Sequence, residues 1–308
     1  MQCPRCNAIV KEGIKFCPAC GGGLPSWTGR LKAGDVLAER YKVERPLARG
    51  GMGAVYLASD MRLGDAPVAL KEMTLHHAPG DTETWQRAVE EFRREASLLA
   101  RLSHPNLPHV IDQFEANGNQ FLVMELIDGR TLRAELESRS APVPLGEALD
   151  WFRQLASVLS YLHGQASPII YRDLKPANIM LRPDGRVTLI DFGIARLYKP
   201  GQSGDTSVYG TPGYAPPEQY GLGQTDARSD VYSLAMVLHE VLTGHDPARR
   251  KNVRPALVHE ARPDVPEHLG QALNRALALE PDERFASVNE LAEAMRGPAL
   301  VASPTKPG

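Results

Sequence analysis

The sequence predicts an α+β fold of two lobes, β-rich first and helical second, with a small cysteine-bearing unit ahead of them. Three observations predict it. Short β-rich runs separated by turn residues fill the stretch after Asp35. Apolar residues at helical spacing dominate from Leu145 onward. All four cysteines fall between positions 3 and 20, so cysteine is a local device here and not a general staple.

Residues 1–23 form a Cys/Gly-rich unit with little that could bury a core, and residues 24–34 read as a linker. A catalytic-sized domain then spans 35–297, with a first lobe over 35–125 and a second over 128–297. Tyr41–Leu47, Ala54–Ser59 and Pro67–Met73 are read as strands. Arg87–Leu102 carries Val89, Phe92, Ala96 and Leu99 on one helical face, and Gln120–Leu126 is a further strand. In the second lobe, Leu149, Phe152, Leu155, Ala156, Leu159 and Leu162 make an amphipathic stripe. Val231–Leu242 is apolar nearly all round, which predicts a fully buried helix. Leu269–Leu279 and Val288–Met295 supply further helices, and 298–308 is a Pro/Ala/Ser-rich tail expected to be disordered.

Composition excludes several classes. A net charge of −2 provides no global field for nucleic acid or an anionic membrane. No apolar run approaches the ~18 residues of a membrane span, and the N-terminus lacks the apolar core of a signal peptide. A cytoplasmic location is expected, with nucleic acid not expected as a partner.

Three short stretches carry chemistry: Tyr171-Arg172-Asp173-Leu174-Lys175-Pro176-Ala177-Asn178, then Asp191-Phe192-Gly193, then Ala215-Pro216-Pro217-Glu218. The first holds a carboxylate, an ammonium and a carboxamide within six residues, and the second adds a carboxylate eighteen residues after Asp173. Phosphoryl transfer needs such a set: a group to orient the attacking hydroxyl, a cation on the phosphate, and oxygen ligands for magnesium. Upstream, the glycine-rich Ala48-Arg49-Gly50-Gly51-Met52-Gly53-Ala54-Val55 sits between two predicted strands, where missing Cβ atoms let backbone approach phosphate. Val68-Ala69-Leu70-Lys71 follows on the next strand.

Together these stretches resemble the protein-kinase signature set, over residues ~38–296. The resemblance implies a bilobal protein-kinase-like fold, ATP as phosphate donor and Mg2+ (or Mn2+) as its metal. It makes Asp173 the catalytic base or hydroxyl-orienting group and Lys175 the cation on the transferring phosphoryl, with Asn178 and Asp191 as magnesium ligands. Lys71 would pair with the nucleotide phosphates. Glu90, Glu91 and Glu95 could each partner Lys71, and analogy selects Glu95. Ala48, Gly50, Gly53, Val55 and Ala69 would line the nucleotide site. Met124 would back the adenine, and backbone groups from Glu125 to Ile127 would hydrogen-bond it. Lys175 within Asp-Leu-Lys-Pro resembles the serine/threonine-specific kinases, so protein substrates with Ser/Thr acceptors are implied.

Two positions depart from the family pattern. Ala48 stands where the loop begins with Gly, and Tyr171 where His is usual. Tyrosine can fill the volume of that structural histidine, so activity is expected to survive. The resemblance also gives Asp230 the role of holding the catalytic-loop backbone, pairs Glu218 with Arg284, and places Thr211 against Asp173 and Lys175. Between Asp191 and Glu218, Thr206 or Ser207 is the expected autophosphorylation site, its phosphate pairing with Arg172 and Arg196.

Cys3-Pro-Arg-Cys6 and Cys17-Pro-Ala-Cys20 are two C-x-x-C pairs ten residues apart, a spacing that can offer four thiolates to one structural Zn2+. The unit is too small to fold on burial alone, and zinc would supply the missing free energy. Disulfides are the alternative, disfavoured in a reducing compartment. The unit resembles the short zinc-ribbon modules, and a docking role toward a protein partner is expected of it. The resemblance as a whole is to bacterial eukaryotic-type serine/threonine kinases. The competing class is a pseudokinase-like scaffold, which predicts loss of Lys71, Asp173 or Asp191; all three are present.

Overall fold

The computed structural model of the chain describes residues 31–50, 53–73, 90, 93, 96–97, 99–117, 119–191, 196–197, 211–220, 224–249 and 257–297. The four cysteines, Glu95, Thr206, Ser207 and the tail 298–308 lie outside the described residues. The chain divides into two compact units. One runs to Ser103 and takes up Pro108–Ile127; the other comprises His104–Leu107 and the chain from Asp128.

The first unit is built on a six-stranded sheet: β1 (Val36–Leu37), β2 (Tyr41–Gly50), β3 (Gly53–Asp60), β4 (Ala66–Met73), β5 (Val110–Ala116) and β6 (Asn119–Glu125). Their spatial order is β1-β2-β3-β4-β6-β5, with antiparallel neighbours. The three strands expected between Tyr41 and Met73 are present, and each extends past its expected bounds. Strand alternation sends Tyr41, Val43, Ala54, Tyr56, Ala58, Val68, Leu70, Phe121 and Val123 into one core. Phe114 joins them, stacked between Tyr41 and Phe121 with ring centroids 5.4 and 5.3 Å away. Pro46 cannot donate to a ladder, and it sits at one of two register shifts between β2 and β3. Among the described residues 90, 93, 96, 97 and 99 are helical, in the expected stretch.

The opposite face of the sheet carries the other parity. Leu122 and Met124 pack there with Ala96 and Val110. Val55 pairs with Lys71 across β3 and β4, and Ala69 pairs with Met124 across β4 and β6. Four residues expected to line a nucleotide site therefore share one sheet face.

The second unit is mostly helical, with helices Leu132–Ser138, Leu145–His163, Ala227–Thr243, Val258–Ala261, Glu267–Ala276 and Val288–Arg296. The helix Leu145–His163 buries the expected stripe, including Phe152, Leu155, Ala156, Leu159 and Leu162. The helix Ala227–Thr243 is buried from Ser229 to Leu242, as its all-round apolar run predicts. Asp226 caps it by accepting from the Arg228 N–H, and Gly244 closes it at φ +71°. The helix expected over Leu269–Leu279 instead spans Glu267–Ala276. It stops early because the carbonyls of Ala278 and Leu279 turn to accept from the Arg284 guanidinium, each at 2.8 Å.

Small strands frame the stretch from Tyr171 to Asp191. β7 (Arg130–Thr131), β9 (Ile179–Leu181) and β10 (Val187–Leu189) form one sheet, and β8 (Ile169–Ile170) pairs with β11 (Arg196–Leu197). No helix among the described residues is long and apolar enough to cross a membrane.

Candidate active site

The stretch after β8 folds into a loop and a short turn, Pro176–Asn178, before β9 begins. Asp173 is buried within it. Its Oδ2 accepts from Lys175 Nζ at 2.8 Å and from Asn178 Nδ2 at 2.9 Å, and its Oδ1 accepts from Thr211 Oγ1 at 2.8 Å. Thr211 Oγ1 in turn accepts from Lys175 Nζ at 2.8 Å. Both carboxylate oxygens are thus fixed by donors, with a lone pair of Oδ1 left to receive a proton from an approaching hydroxyl. Thr211 closes this ring from 38 residues away, as the family resemblance implied.

The β9–β10 hairpin brings Asn178 and the residue before Asp191 together. Leu189 pairs with Ile179, and the Ile190 N–H donates to the Asn178 carbonyl at 2.9 Å, which brings the position before Asp191 beside Asn178. The Asn178 amide nitrogen is committed to the Asp173 carbonyl and carboxylate. Its orientation therefore leaves the amide oxygen as the group to offer a cation. An amide oxygen and a half-buried carboxylate suit a hard divalent ion such as magnesium. Among the described residues, no group of three or more His, Cys, Asp or Glu side chains is gathered in a metal-holding arrangement.

The loop backbone is held from below. Asp230, in the first turn of the helix Ala227–Thr243, accepts from the N–H groups of Tyr171 and Arg172, both at 2.8 Å. His163 Nε2 meets the same carboxylate at 2.8 Å. Tyr171 is fully buried, and its hydroxyl donates to the Ile190 carbonyl at 2.6 Å. Burial, reinforced by the carboxylates of Asp191, Asp173 and Asp230, pushes this hydroxyl well above the usual tyrosine range, so it stays protonated and remains a donor. Tyrosine here does more than fill volume: it ties the loop to the residue preceding Asp191.

In the first unit, Lys71 is buried on β4 despite its charge, on the sheet face shared with Val55, Ala69 and Met124. Gly50 pairs with Gly53 at the end of the β2–β3 hairpin, and Ala48 pairs with Val55. Gly51 and Met52 lie outside the described residues. The Glu125 N–H donates to the His109 carbonyl at 2.8 Å. Glu125 and Ile127 are half-buried in the short segment that ends this unit.

Glu218 and Arg284 form the expected pair, two-pronged at 2.6 and 3.0 Å, with Ser229 Oγ adding 2.7 Å. Other groups escaped sequence reasoning. Asn106 accepts from the Leu189 N–H at 2.9 Å and donates to the Val187 carbonyl, so it holds β10 just ahead of Asp191. Arg133 donates to Glu240 at 2.8 Å and to Tyr214 Oη at 2.5 Å, while the Tyr214 hydroxyl donates to Glu240. Burial pushes the Glu240 carboxyl and the Tyr214 hydroxyl up. Gln219 donates from Nε2 to the Arg172 carbonyl at 2.8 Å. None of these pairs had a sequence signal, because the partners lie 26 to 107 residues apart.

The family model "Protein kinase domain" matches residues 41–294. The serine/threonine-protein kinase pkn2 of Myxococcus xanthus is 35% identical over 292 residues, covering 89% of this chain and 34% of its own length. The serine/threonine-protein kinase PknL of Mycobacterium tuberculosis is 39% identical over 232 residues, 75% of this chain and 56% of its own. The chain thus spans between a third and just over half of these curated relatives. Among solved structures, the PknI kinase domain of Mycobacterium tuberculosis superposes with a TM-score of 0.67 at 31% identity, covering 86% of this chain and 98% of that one. With the loop of Asp173, Lys175 and Asn178 assembled around Thr211 and the match running through both units, the chain belongs to the protein kinase family.

Proposed function

We propose that the protein is a serine/threonine protein kinase that transfers the γ-phosphate of ATP to Ser or Thr hydroxyls of proteins, its own activation segment included. The observation that carries this reading is the hydrogen-bonded ring of Asp173, Lys175, Thr211 and Asn178. A carboxylate so held can orient a hydroxyl and take its proton, and the ammonium beside it can offset charge on the transferring group. Asn178 and Asp191 would hold Mg2+ or Mn2+, which supplies electrostatic stabilisation of the phosphates. Lys71, with Glu95 as its carboxylate partner, would grip the phosphates. The backbone at Ala48, Gly50 and Gly53 would cover them, and Val55, Ala69 and Met124 would face the adenine. Because its N–H is already committed, Glu125 would offer its carbonyl to the adenine, and Ile127 its backbone groups.

The cysteine unit 1–23 is proposed as a zinc ribbon, Cys3, Cys6, Cys17 and Cys20 binding one structural Zn2+ and docking a protein partner. A cytoplasmic location goes with this reading, since thiols stay reduced and ATP is at hand there. Metal analysis checks the ribbon: Zn2+ retained by the wild type and lost in Cys17→Ser supports it, and a zinc-free wild type refutes it.

The activity is tested with γ-labelled Mg·ATP and a generic acceptor protein, followed by identification of the labelled amino acid. Label on phosphoserine or phosphothreonine supports the reading. Label confined to phosphotyrosine refutes the residue class, and ATP bound without transfer favours a scaffold.

A further inference from the structure

We propose that Gln219 is a positioning residue for phosphoryl transfer, holding the backbone turn that aims Asp173. The inference rests on the kinase reading above and deepens it.

Arg172 precedes the catalytic carboxylate with φ at +67°, a region that non-glycine residues seldom occupy. The Asp173 N–H donates back to the Tyr171 carbonyl at 2.9 Å, so Arg172 is the centre of a three-residue turn of the rarer, strained sense. Such a turn persists only where its surroundings over-determine it. Two side chains do so. Asp230 takes the N–H groups of Tyr171 and Arg172 on the entering side. Gln219 takes the Arg172 carbonyl on the leaving side, at 2.8 Å. That carbonyl belongs to the peptide plane joining Arg172 to Asp173. With Asp230 alone, the plane could rotate and carry the Asp173 side chain away from Lys175, Asn178 and Thr211.

Gln219 is itself rigid. It lies in the short turn Pro217–Tyr220, its N–H donates to the Pro216 carbonyl at 3.0 Å, and its neighbour Glu218 is locked by Arg284 and Ser229. It is 2% exposed, and its side-chain oxygen is buried with no hydrogen-bond partner among the described residues. A buried acceptor left unpaired is destabilising, and an apolar side chain of the same length would avoid that cost. The amide is therefore explained by its donor half, which faces the Arg172 carbonyl. Through this bond the Ala215–Glu218 end of the activation segment is coupled to the catalytic carboxylate.

The test uses Gln219→Met, which keeps length and volume but cannot donate, and Gln219→Glu. In Gln219→Met, kcat is expected to fall about tenfold with KM for ATP within about twofold, the size expected when one hydrogen bond to a buried carbonyl is lost. Amide exchange at Asp173 should accelerate, since its bond to Tyr171 exists only in the strained turn. In Gln219→Glu, a carboxylate would repel the carbonyl, but its protonated form can donate, so kcat relative to wild type should recover as pH is lowered. Thermal midpoints separate this from simple unfolding. Wild-type kcat in Gln219→Met overturns the proposal. So does a loss that follows the folded fraction with no change in Asp173 exchange and no acid rescue in Gln219→Glu. Should the wild type itself transfer no phosphate, the kinase reading fails and the exchange measurement alone decides: acceleration at Asp173 supports the positioning role, and none overturns it.

Discussion

Replacing Thr211 with valine isolates one hydroxyl in the ring around Asp173. Valine keeps the branched shape and removes a donor to Asp173 Oδ1 and an acceptor for Lys175 Nζ, both at 2.8 Å. Hydrogen bonds to charged partners are worth about 1.5–3 kcal/mol each. Thr211 and Lys175 are only half-buried, so water replaces part of what is lost, and the lower end applies. The Asp173 carboxylate, freed on Oδ1, would swing toward Lys175 and spend less time in the aligned rotamer. A loss of about 1.5–2.5 kcal/mol in the transition state corresponds to a fall in kcat of roughly 10- to 70-fold. The assay is steady-state transfer from Mg·ATP to an acceptor protein, with Thr211→Ser as control because it retains the hydroxyl. KM for ATP should change little, since the Thr211 hydroxyl bonds to Asp173 and Lys175. Wild-type kcat in Thr211→Val, or Thr211→Ser as impaired as Thr211→Val, would refute the role given to this hydroxyl.

Three further outcomes follow from the contacts. Tyr171→Phe leaves the half-buried Ile190 carbonyl without the Tyr171 donor, at a cost of about 1 kcal/mol, and should raise the magnesium concentration needed for half-maximal activity; an unchanged magnesium titration would count against the link to Asp191. Arg284→Met strands the buried Glu218 and the carbonyls of Ala278 and Leu279. It should cost about 3–5 kcal/mol by denaturant unfolding, with activity per folded molecule falling less than in Gln219→Met. In the first unit, hydrogen bonds from Arg40 hold the Asp60 carboxyl below its ordinary value of 3.8. The stability that depends on this carboxylate is complete above pH 3.8 and is lost as pH falls through the depressed value. Unfolding midpoints of Asp60→Asn should therefore be lower than wild type at neutral pH but flatter below pH 3.8, and parallel acid limbs would remove Asp60 from the account.

Much of the site was legible because its chemistry is local. Asp173, Lys175 and Asn178 lie within six residues, and the hairpin that returns Asp191 to Asn178 closes between Ile179 and Leu189. The buried helix at Ala227–Thr243 announced itself by its apolar run, and with it the place of Asp230. Long-range polar partners were legible only where the family resemblance supplied them, as for Glu218 with Arg284 and for Thr211. The bonds from Gln219 to Arg172, from Asn106 to Val187 and from Arg133 to Glu240 span 47, 81 and 107 residues, and no periodicity encodes them. Strand β5 was missed for a different reason. Val110–Ala116 lies at the sheet edge, mostly half-buried, and its mixed polar pattern does not alternate cleanly. The two-residue β1 is too short to carry a pattern. The left-handed backbone of Arg172 is held by the tertiary anchors Asp230 and Gln219, and arginine does not signal it as glycine would.

The central claim is that Asp173 directs phosphoryl transfer from ATP. Phosphate incorporation with Mg·ATP, comparing wild type with Asp173→Asn, tests it most directly, because asparagine keeps the side chain's shape and removes the base. The account predicts incorporation on Ser or Thr in the wild type and its loss in Asp173→Asn, with ATP binding unchanged. Equal incorporation by both proteins, or none by a wild type that binds ATP in the presence of an acceptor, would contradict it.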